Sequence, residues 1–304
     1  MPTIERVLVT GATGFIGGHC LPELLRLGAE VHAVSSSGRR TGDAGVVWHD
    51  LDLLTADPAA LLSEIRPTHL LHLAWYAEPR KFWSSMENVR WVAASLRLLE
   101  AFASAGGRRV VVAGTCAEYD WTGDGRCDEL TTTLRPVTTY GICKDALRRL
   151  VEAYCRETGL SWAWGRVFLL YGPHEDPRRL VSSTIRSLLA GATARCTHGR
   201  QIRDFLNVRD VASGFAALAA SDVQGPVNIA SCDDVTIEQV VRLLGEIVGR
   251  PELVELGAIP APAGDPARLT ASTTRLFEEV GWRPRRALRE GLEETVDWWR
   301  GEAG

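Results

Sequence analysis

The chain has 304 residues, 45% of them hydrophobic and 24% charged, and a formal net charge of -4 at pH 7. That length exceeds what one small core fills and fits two domains, or one large domain with an appended lobe. The weak negative charge excludes a general attraction to nucleic acid or to an anionic membrane, so an anionic ligand has to be gripped by local groups.

The opening "MPTIERVLVTGATG" lacks signal-peptide character and runs straight into a predicted strand, "RVLVTG". A helix over "FIGGHCLPELLRLG" follows, closed by Gly28 as a C-cap, and then the strand "EVHAVSS". Past "VVWHDL", the pattern predicts a helix over "DPAALLSEI" that Pro67 ends, the strand "THLLHLAW", a long helix in "MENVRWVAASLRLLEAFASAG" and the strand "RRVVVAG". "YGICKDALRRLVEAYCRETG" reads as a helix and "SWAWGRVFLL" as a strand. Strands alternating with helices imply βαβ units and a parallel sheet covered on both faces, a Rossmann-type doubly wound α/β fold. Near residue 166 the pattern loosens into helices such as "DPRRLVSSTIRSLLAG", "TIEQVVRLLGEIVG" and "TTRLFEEVG" around a Pro/Gly-rich stretch. The division predicted is a dinucleotide-binding domain over 1–165 and a smaller, mostly helical substrate lobe over 166–304. No window approaches the ~18 apolar residues of a membrane helix. The seven cysteines are scattered without a CxxC pair, which points to reduced thiols of a cytoplasmic protein and to neither a disulfide framework nor a metal site.

Three features carry chemistry. "VLVTGATGFIGGHC" sets Gly11, Gly14 and Gly17 between the first strand and first helix. There they serve a tight turn, close approach of backbone to a pyrophosphate, and tight helix–strand packing. With Thr13, Phe15 and Ile16 they form a phosphate cradle at a helix N-terminus. The second strand then ends in "VSSSGRR", where an NAD-binding chain usually carries an acid. Ser35, Ser36, Ser37, Arg39 and Arg40 offer hydroxyls and guanidiniums that suit a 2′-phosphate, favouring NADP (NADPH) over NAD. Asp50 and Leu51, at the third strand's end, are placed to meet the adenine. Finally, "TYGICK" puts Tyr140 and Lys144 four residues apart on one helical face. A nearby ammonium lowers the pKa of a phenol, so Tyr140 is a candidate acid/base, with Thr115 offering a hydroxyl to the same oxygen from another strand end.

These motifs, with "HLAW", "ENV", "YGP", "RDFLNVRDVA", "VNIAS" and the closing "GWRP" and "TVDWW", fall in one order over nearly the full length. The chain resembles an extended short-chain dehydrogenase/reductase of the NAD(P)-dependent epimerase/dehydratase family that acts on nucleotide sugars. The resemblance implies Tyr140 as acid/base, Lys144 as its partner and a contact of the nicotinamide ribose, and Thr115 as the assisting hydroxyl. It implies Leu73, Ala74 and Trp75 along the cofactor, Asn88 in support, Arg203 on the nucleotide diphosphate, and a homodimer through helices near 88–104 and 140–156. A segment near 202–220 would return to pack on the first domain.

Dehydratases resembling this chain carry Asp and Glu directly after the threonine. Here Cys116 and Ala117 stand there, so elimination of water is disfavoured. Glu118, one residue on in strand-like chain, would face away. Cys116, with no neighbouring base in sequence, reads as an apolar filler beside the substrate. Trp75 and Tyr76 are candidate walls of the sugar pocket, and Arg178 joins Arg203 as a candidate for the diphosphate. Leu169 replaces an asparagine that many family members carry. The reading favoured is NADPH-dependent reduction of a 4-keto-6-deoxyhexose linked to a nucleotide such as dTDP. An NAD-dependent 4-epimerase and a non-catalytic NADP-binding protein stand as alternatives.

Overall fold

The computed structural model describes residues 4–38, 44–123, 125–262 and 264–302. Its elements in chain order are β1 (Arg6–Thr10), α1 (Phe15–Arg26), β2 (Glu30–Ser35), β3 (Val46–Asp50), α2 (Ala59–Ile65), β4 (His69–His72), α3 (Glu87–Ser104), β5 (Arg109–Thr115), α4 (Thr139–Thr158) and β6 (Ser161–Val167). The second half adds β7 (Leu169–Tyr171), α5 (Leu180–Leu189), β8 (Ala194–Arg195), β9 (Ile202–Asn207), α6 (Val208–Ala219), β10 (Gly225–Ile229), β11 (Asp234–Thr236), α7 (Ile237–Val248), β12 (Val254–Glu255), β13 (Arg268–Leu269) and α8 (Leu288–Glu302).

Seven strands form one parallel sheet in the order β10-β6-β5-β4-β1-β2-β3. Because side chains alternate along a strand, the apolar runs feed both faces. Val7, Val9, Val31, Ala33 and Val111 pack with α1 and α6 on one side. Leu8, Leu70, Val110 and Val112 pack with α2, α3 and α4 on the other. The sheet takes its outer strand from 225–229, and α6 is buried in the same core, so chain well past residue 165 completes this layer. A separate core joins α5, α7 and α8 to β7 and β9. The stretch "TTRLFEEVG" forms only a five-residue π-helical turn, Arg275–Glu279.

Parallel strands share a direction, so the carboxyl ends of β1 to β6 form a single rim. Loops leaving that rim gather residues that are remote in sequence, as open α/β sheets do at their ligand crevices.

Candidate active site

The rim begins at the glycine loop. Gly11 has φ 71°, and a Cβ there would lie 2.6 Å from the Ala74 backbone nitrogen, so only glycine lets this turn meet the chain leaving β4. A Cβ on Gly17 would lie 2.1 Å from the Gly11 carbonyl. Gly14 caps α1 with no side-chain hydrogen bond, leaving the first-turn N–H groups for an anion, with Thr13, Phe15 and Ile16 alongside. Leu73 donates its N–H to the Thr10 carbonyl at 3.1 Å, which places Leu73, Ala74 and Trp75 against this loop.

One strand over, Ser35 ends β2 and its carbonyl accepts from Leu51 N–H at 3.0 Å, so Ser35, Asp50 and Leu51 meet at the rim. The Ser35 side chain is 2% exposed, and its hydroxyl finds no hydrogen-bond partner among the described residues. A buried orphan hydroxyl beside a glycine cradle fits a dinucleotide whose ribose would partner it. Ser36 and Ser37 are exposed. Arg39 and Arg40 lie outside the described residues.

Thr115 ends β5, and α4 starts against it. A Cβ on Gly141 would lie 2.4 Å from the Ala117 carbonyl, so a glycine seats the first turn of α4 on residues 116–118. The Thr138 hydroxyl caps that turn by accepting from Gly141 N–H at 3.1 Å. Tyr140 thereby comes close enough to the Thr115 hydroxyl to interact with it electrostatically. Burial raises the Tyr140 phenol well above its ordinary pKa, and the Thr115 hydroxyl beside it opposes that rise. Lys144 sits one helical turn on, its Nζ donating to the Ala113 carbonyl at 2.8 Å and lying 3.8 Å above the Trp75 ring. Burial pulls Lys144 down to about 7, with the Glu118 charge acting against it. The protein alone therefore does not lower the phenol as the pairing of Tyr140 with Lys144 in sequence suggested: both groups are desolvated, and each is pushed toward its neutral form.

Several candidates sit differently from their sequence reading. Trp75 is committed beneath Lys144, and its Nε1 donates to Asn88 Oδ1 at 2.7 Å. Asn88 is fully buried and donates to the Phe82 and Ser85 carbonyls at 2.7 and 2.8 Å. It therefore fastens the 73–86 loop to α3. Tyr76 is half-buried on the same loop. The aromatic groups against Tyr140 are ones the sequence reading missed. Phe82 and Trp83 lie edge-on to it, with ring centroids 4.9 and 5.8 Å away, and Trp121 meets Trp83 edge-on at 6.2 Å. The only advance signal was the aromatic density of "RKFWSS" and "YDW".

Arg178 is occupied by Asp176 at 2.7 Å and Glu78 at 2.9 Å. Its neighbour Arg179 lies over the Phe82 ring at 5.4 Å and acts electrostatically on Tyr140. Arg203 is buried near Cys116 and pairs with Asp265 at 2.6 Å. Cys116 packs with Tyr119, Cys127, Phe168 and Leu269, and burial pushes its thiol up to about 12, which suits a filler and not a nucleophile.

Residues 116–118 are a 3₁₀ turn and not strand-like chain. Glu118 is nonetheless engaged elsewhere than with Tyr140. It is fully buried, with Oε2 accepting from Arg166 Nε at 2.7 Å and Oε1 from Trp164 Nε1 at 2.9 Å. Among the described residues no group of three acidic, histidine or cysteine side chains could hold a metal ion, and no helix is long and apolar enough to cross a membrane.

A parallel sheet whose rim carries a glycine turn, an orphan hydroxyl at the end of β2 and a Thr–Tyr–Lys cluster fits a nicotinamide-dinucleotide enzyme of the short-chain dehydrogenase/reductase type. Comparison with known proteins agrees. The family model described as "NAD dependent epimerase/dehydratase family" matches residues 7–230, and the chain belongs to that family. A UDP-glucuronic acid decarboxylase 1 of Xenopus tropicalis is 28% identical over 98% of this chain and 73% of its own length. A UDP-glucose 4-epimerase of Mycolicibacterium smegmatis is also 28% identical, over 98% and 99%. Among solved structures, MoeE5 in complex with UDP-glucuronic acid and NAD is 33% identical, covers 98% of this chain and 99% of its own, and superposes with a TM-score of 0.84. The protein is thus an enzyme of a family that acts on nucleotide sugars.

Proposed function

We propose that this protein reduces the keto group of a nucleotide-activated 4-keto-6-deoxyhexose with NADPH, as in deoxysugar biosynthesis. The observation that carries the reading is the fate of the only carboxylate in the 115–118 turn. Glu118 is consumed by Arg166, and Cys116 and Ala117 cannot protonate a departing hydroxyl. That leaves redox at one carbon as the chemistry the site supports. The dinucleotide, when bound, supplies hydride to the carbonyl carbon. Tyr140 delivers the proton to the carbonyl oxygen, Thr115 holds that oxygen by a hydrogen bond, and Lys144, one helical turn on, lines the same pocket for the nicotinamide ribose, so that a ketone becomes a secondary alcohol.

The cofactor preference rests on β2 ending in Ser35, Ser36, Ser37 and Gly38 with no carboxylate to repel a 2′-phosphate. Arg39 and Arg40 follow in sequence as its cationic partners. A retained NAD that returns the same hydride has little use for such a site, whereas a net reductase draws on NADPH. The Phe82 and Trp83 rings beside Tyr140, with Trp121 against Trp83, suit a sugar with a deoxygenated, apolar edge. Arg203 takes the diphosphate of the substrate, dTDP-linked in this reading, by exchanging Asp265 for phosphate oxygens. Exposed Met86, Val89, Ile142 and Leu150 on and beside α3 and α4 support a homodimer built from those helices. The seven free cysteines suit a reducing, cytoplasmic setting.

A second reading, an NAD-dependent 4-epimerase, is favoured by the relatives named as UDP-glucose 4-epimerases, including one from Thermotoga maritima with UDP-glucose, TM-score 0.86 at 25% identity. Absorbance at 340 nm separates the two. The reductase consumes NADPH in proportion to a 4-keto-6-deoxy nucleotide sugar, and Tyr140→Phe nearly abolishes this while NADPH still binds. Interconversion of saturated UDP-hexoses without net NADPH loss overturns the reductase reading.

A further inference from the structure

Glu118 and Arg166 are buried to 0% and 1% side-chain exposure directly behind the Thr115–Tyr140 pair, and the chemistry above uses neither. Their connections run inward to the site. Glu118 Oε1 accepts from the Thr115 backbone N–H at 2.9 Å, as well as from Trp164, while the Thr115 hydroxyl accepts from Ala117 N–H at 3.2 Å. This is a closed capping box on a three-residue turn, Cys116–Glu118, with its acid fixed from outside by an arginine of β6. Arg166 is held in turn: its Nη1 donates to the Tyr119 hydroxyl at 3.0 Å, its guanidinium lies over the Tyr119 ring at 4.6 Å, and Tyr119 donates to Asn228 Oδ1 at 2.8 Å. A Cβ on Gly114 would fall 2.0 Å from Trp164 Nε1 and 2.8 Å from Glu118 Oε1, so the strand before Thr115 is also fitted to this acid.

Stability is a poor explanation for such a pair. A buried ion pair pays heavy desolvation, and apolar replacements are often neutral or better. What the pair does provide is direction, because one bond of Glu118 ends on the Thr115 backbone N–H while those from Trp164 and Arg166 hold the carboxylate in place. We propose that Glu118 and Arg166 are positioning residues, whose ion pair locks the 115–118 turn and so aims the Thr115 hydroxyl at Tyr140. The proposal rests on the reading above that Thr115 and Tyr140 together hold the reacting oxygen. A merely structural pair would support the fold equally with or without the Thr115 hydroxyl. A positioning pair matters only while that hydroxyl is present.

A double-mutant cycle tests this. Thr115→Val, Glu118→Gln and the double variant are compared for kcat and KM with NADPH and a 4-keto-6-deoxy nucleotide sugar, and for NADPH Kd by fluorescence. Thr115→Val is expected to lower kcat about 100-fold and Glu118→Gln about 10-fold. NADPH Kd should stay within about twofold, and the double variant within about threefold of Thr115→Val alone. Full additivity in the double variant, or a Glu118→Gln effect confined to KM or to thermal stability, overturns the proposal. If Thr115→Val leaves kcat intact, the reading of the site itself falls, an outcome distinguishable because it appears in the single variant. Should Glu118→Gln not fold, Arg166→Lys, which keeps a charge but loses the fork of donors, takes its place in the same cycle.

Discussion

Replacing Lys144 by methionine should remove a component of folding stability that rises with pH. The ammonium is 3% exposed, and burial lowers it from the ordinary lysine value to about 7. Below about pH 7 the group is charged in the folded and unfolded chains alike, so the burial penalty is fully felt. Between about 7 and the ordinary value the folded chain has released a proton that the unfolded chain still holds. Stability therefore rises with pH across that window. A full proton difference is worth about 1.4 kcal/mol per pH unit. Starting half-titrated near pH 7, the gain from pH 7.0 to 8.5 comes to roughly 1.6 kcal/mol. Buried thiols, shifted upward in the folded chain, ionise in that range only once the chain unfolds and so oppose the rise, equally in both proteins. Urea unfolding of the cofactor-free protein and of the variant, followed by tryptophan fluorescence at the two pH values (the native chain has 10 tryptophans), measures the gain as the difference between their pH slopes. Lys144→Met should lack it. Parallel pH slopes in the two proteins would refute the desolvated ammonium and the site geometry built around it.

Three further outcomes are expected. Gly11→Ala combines a left-handed backbone worth about 1–2 kcal/mol with an overlap against the Ala74 backbone, so NADPH affinity should fall at least about 100-fold. An unchanged Kd in fluorescence titration would show that the loop is not the cradle. Cys116, its thiol pushed up to about 12, should resist iodoacetamide at pH 8 in the folded protein, and Cys116→Ala should keep about half of kcat or more. Labelling at Cys116 with loss of turnover would reinstate the nucleophile. Ile142→Asp, on exposed α4, should give a monomer by light scattering. An unaltered dimer would place the contact elsewhere.

Much of the frame was legible because local chemistry dictates it. The glycine loop could be read since a turn that admits no Cβ at Gly11 or Gly17 leaves its mark in the residue types themselves. Tyr140 and Lys144 could be paired since helical period alone sets them on one face. The environment around them could not. Glu118 depends on Trp164 and Arg166 of another strand for its fate, and no spacing near "GTCAEYD" shows which way the carboxylate turns. Arg178 and Arg179 are adjacent, and only the fold of the 172–179 loop decides that Arg179 and not Arg178 faces Tyr140. Trp83 and Trp121 lie in separate loops, so their meeting is a tertiary event. The raised phenol follows from burial, which sequence spacing does not report.

The central claim, net hydride delivery to a sugar carbon with the proton supplied at Tyr140, is tested most directly by isotope transfer. The enzyme is incubated with NADPH deuterated at the transferable C4 position and a 4-keto-6-deoxy nucleotide sugar, and the product is read by mass spectrometry and NMR. One deuterium bound to sugar C4 in every product molecule, with one NADPH consumed, is the predicted result. A 4-keto sugar recovered unreduced and free of deuterium with NADPH unspent, while a saturated UDP-hexose given to the same enzyme is inverted at C4, would contradict it.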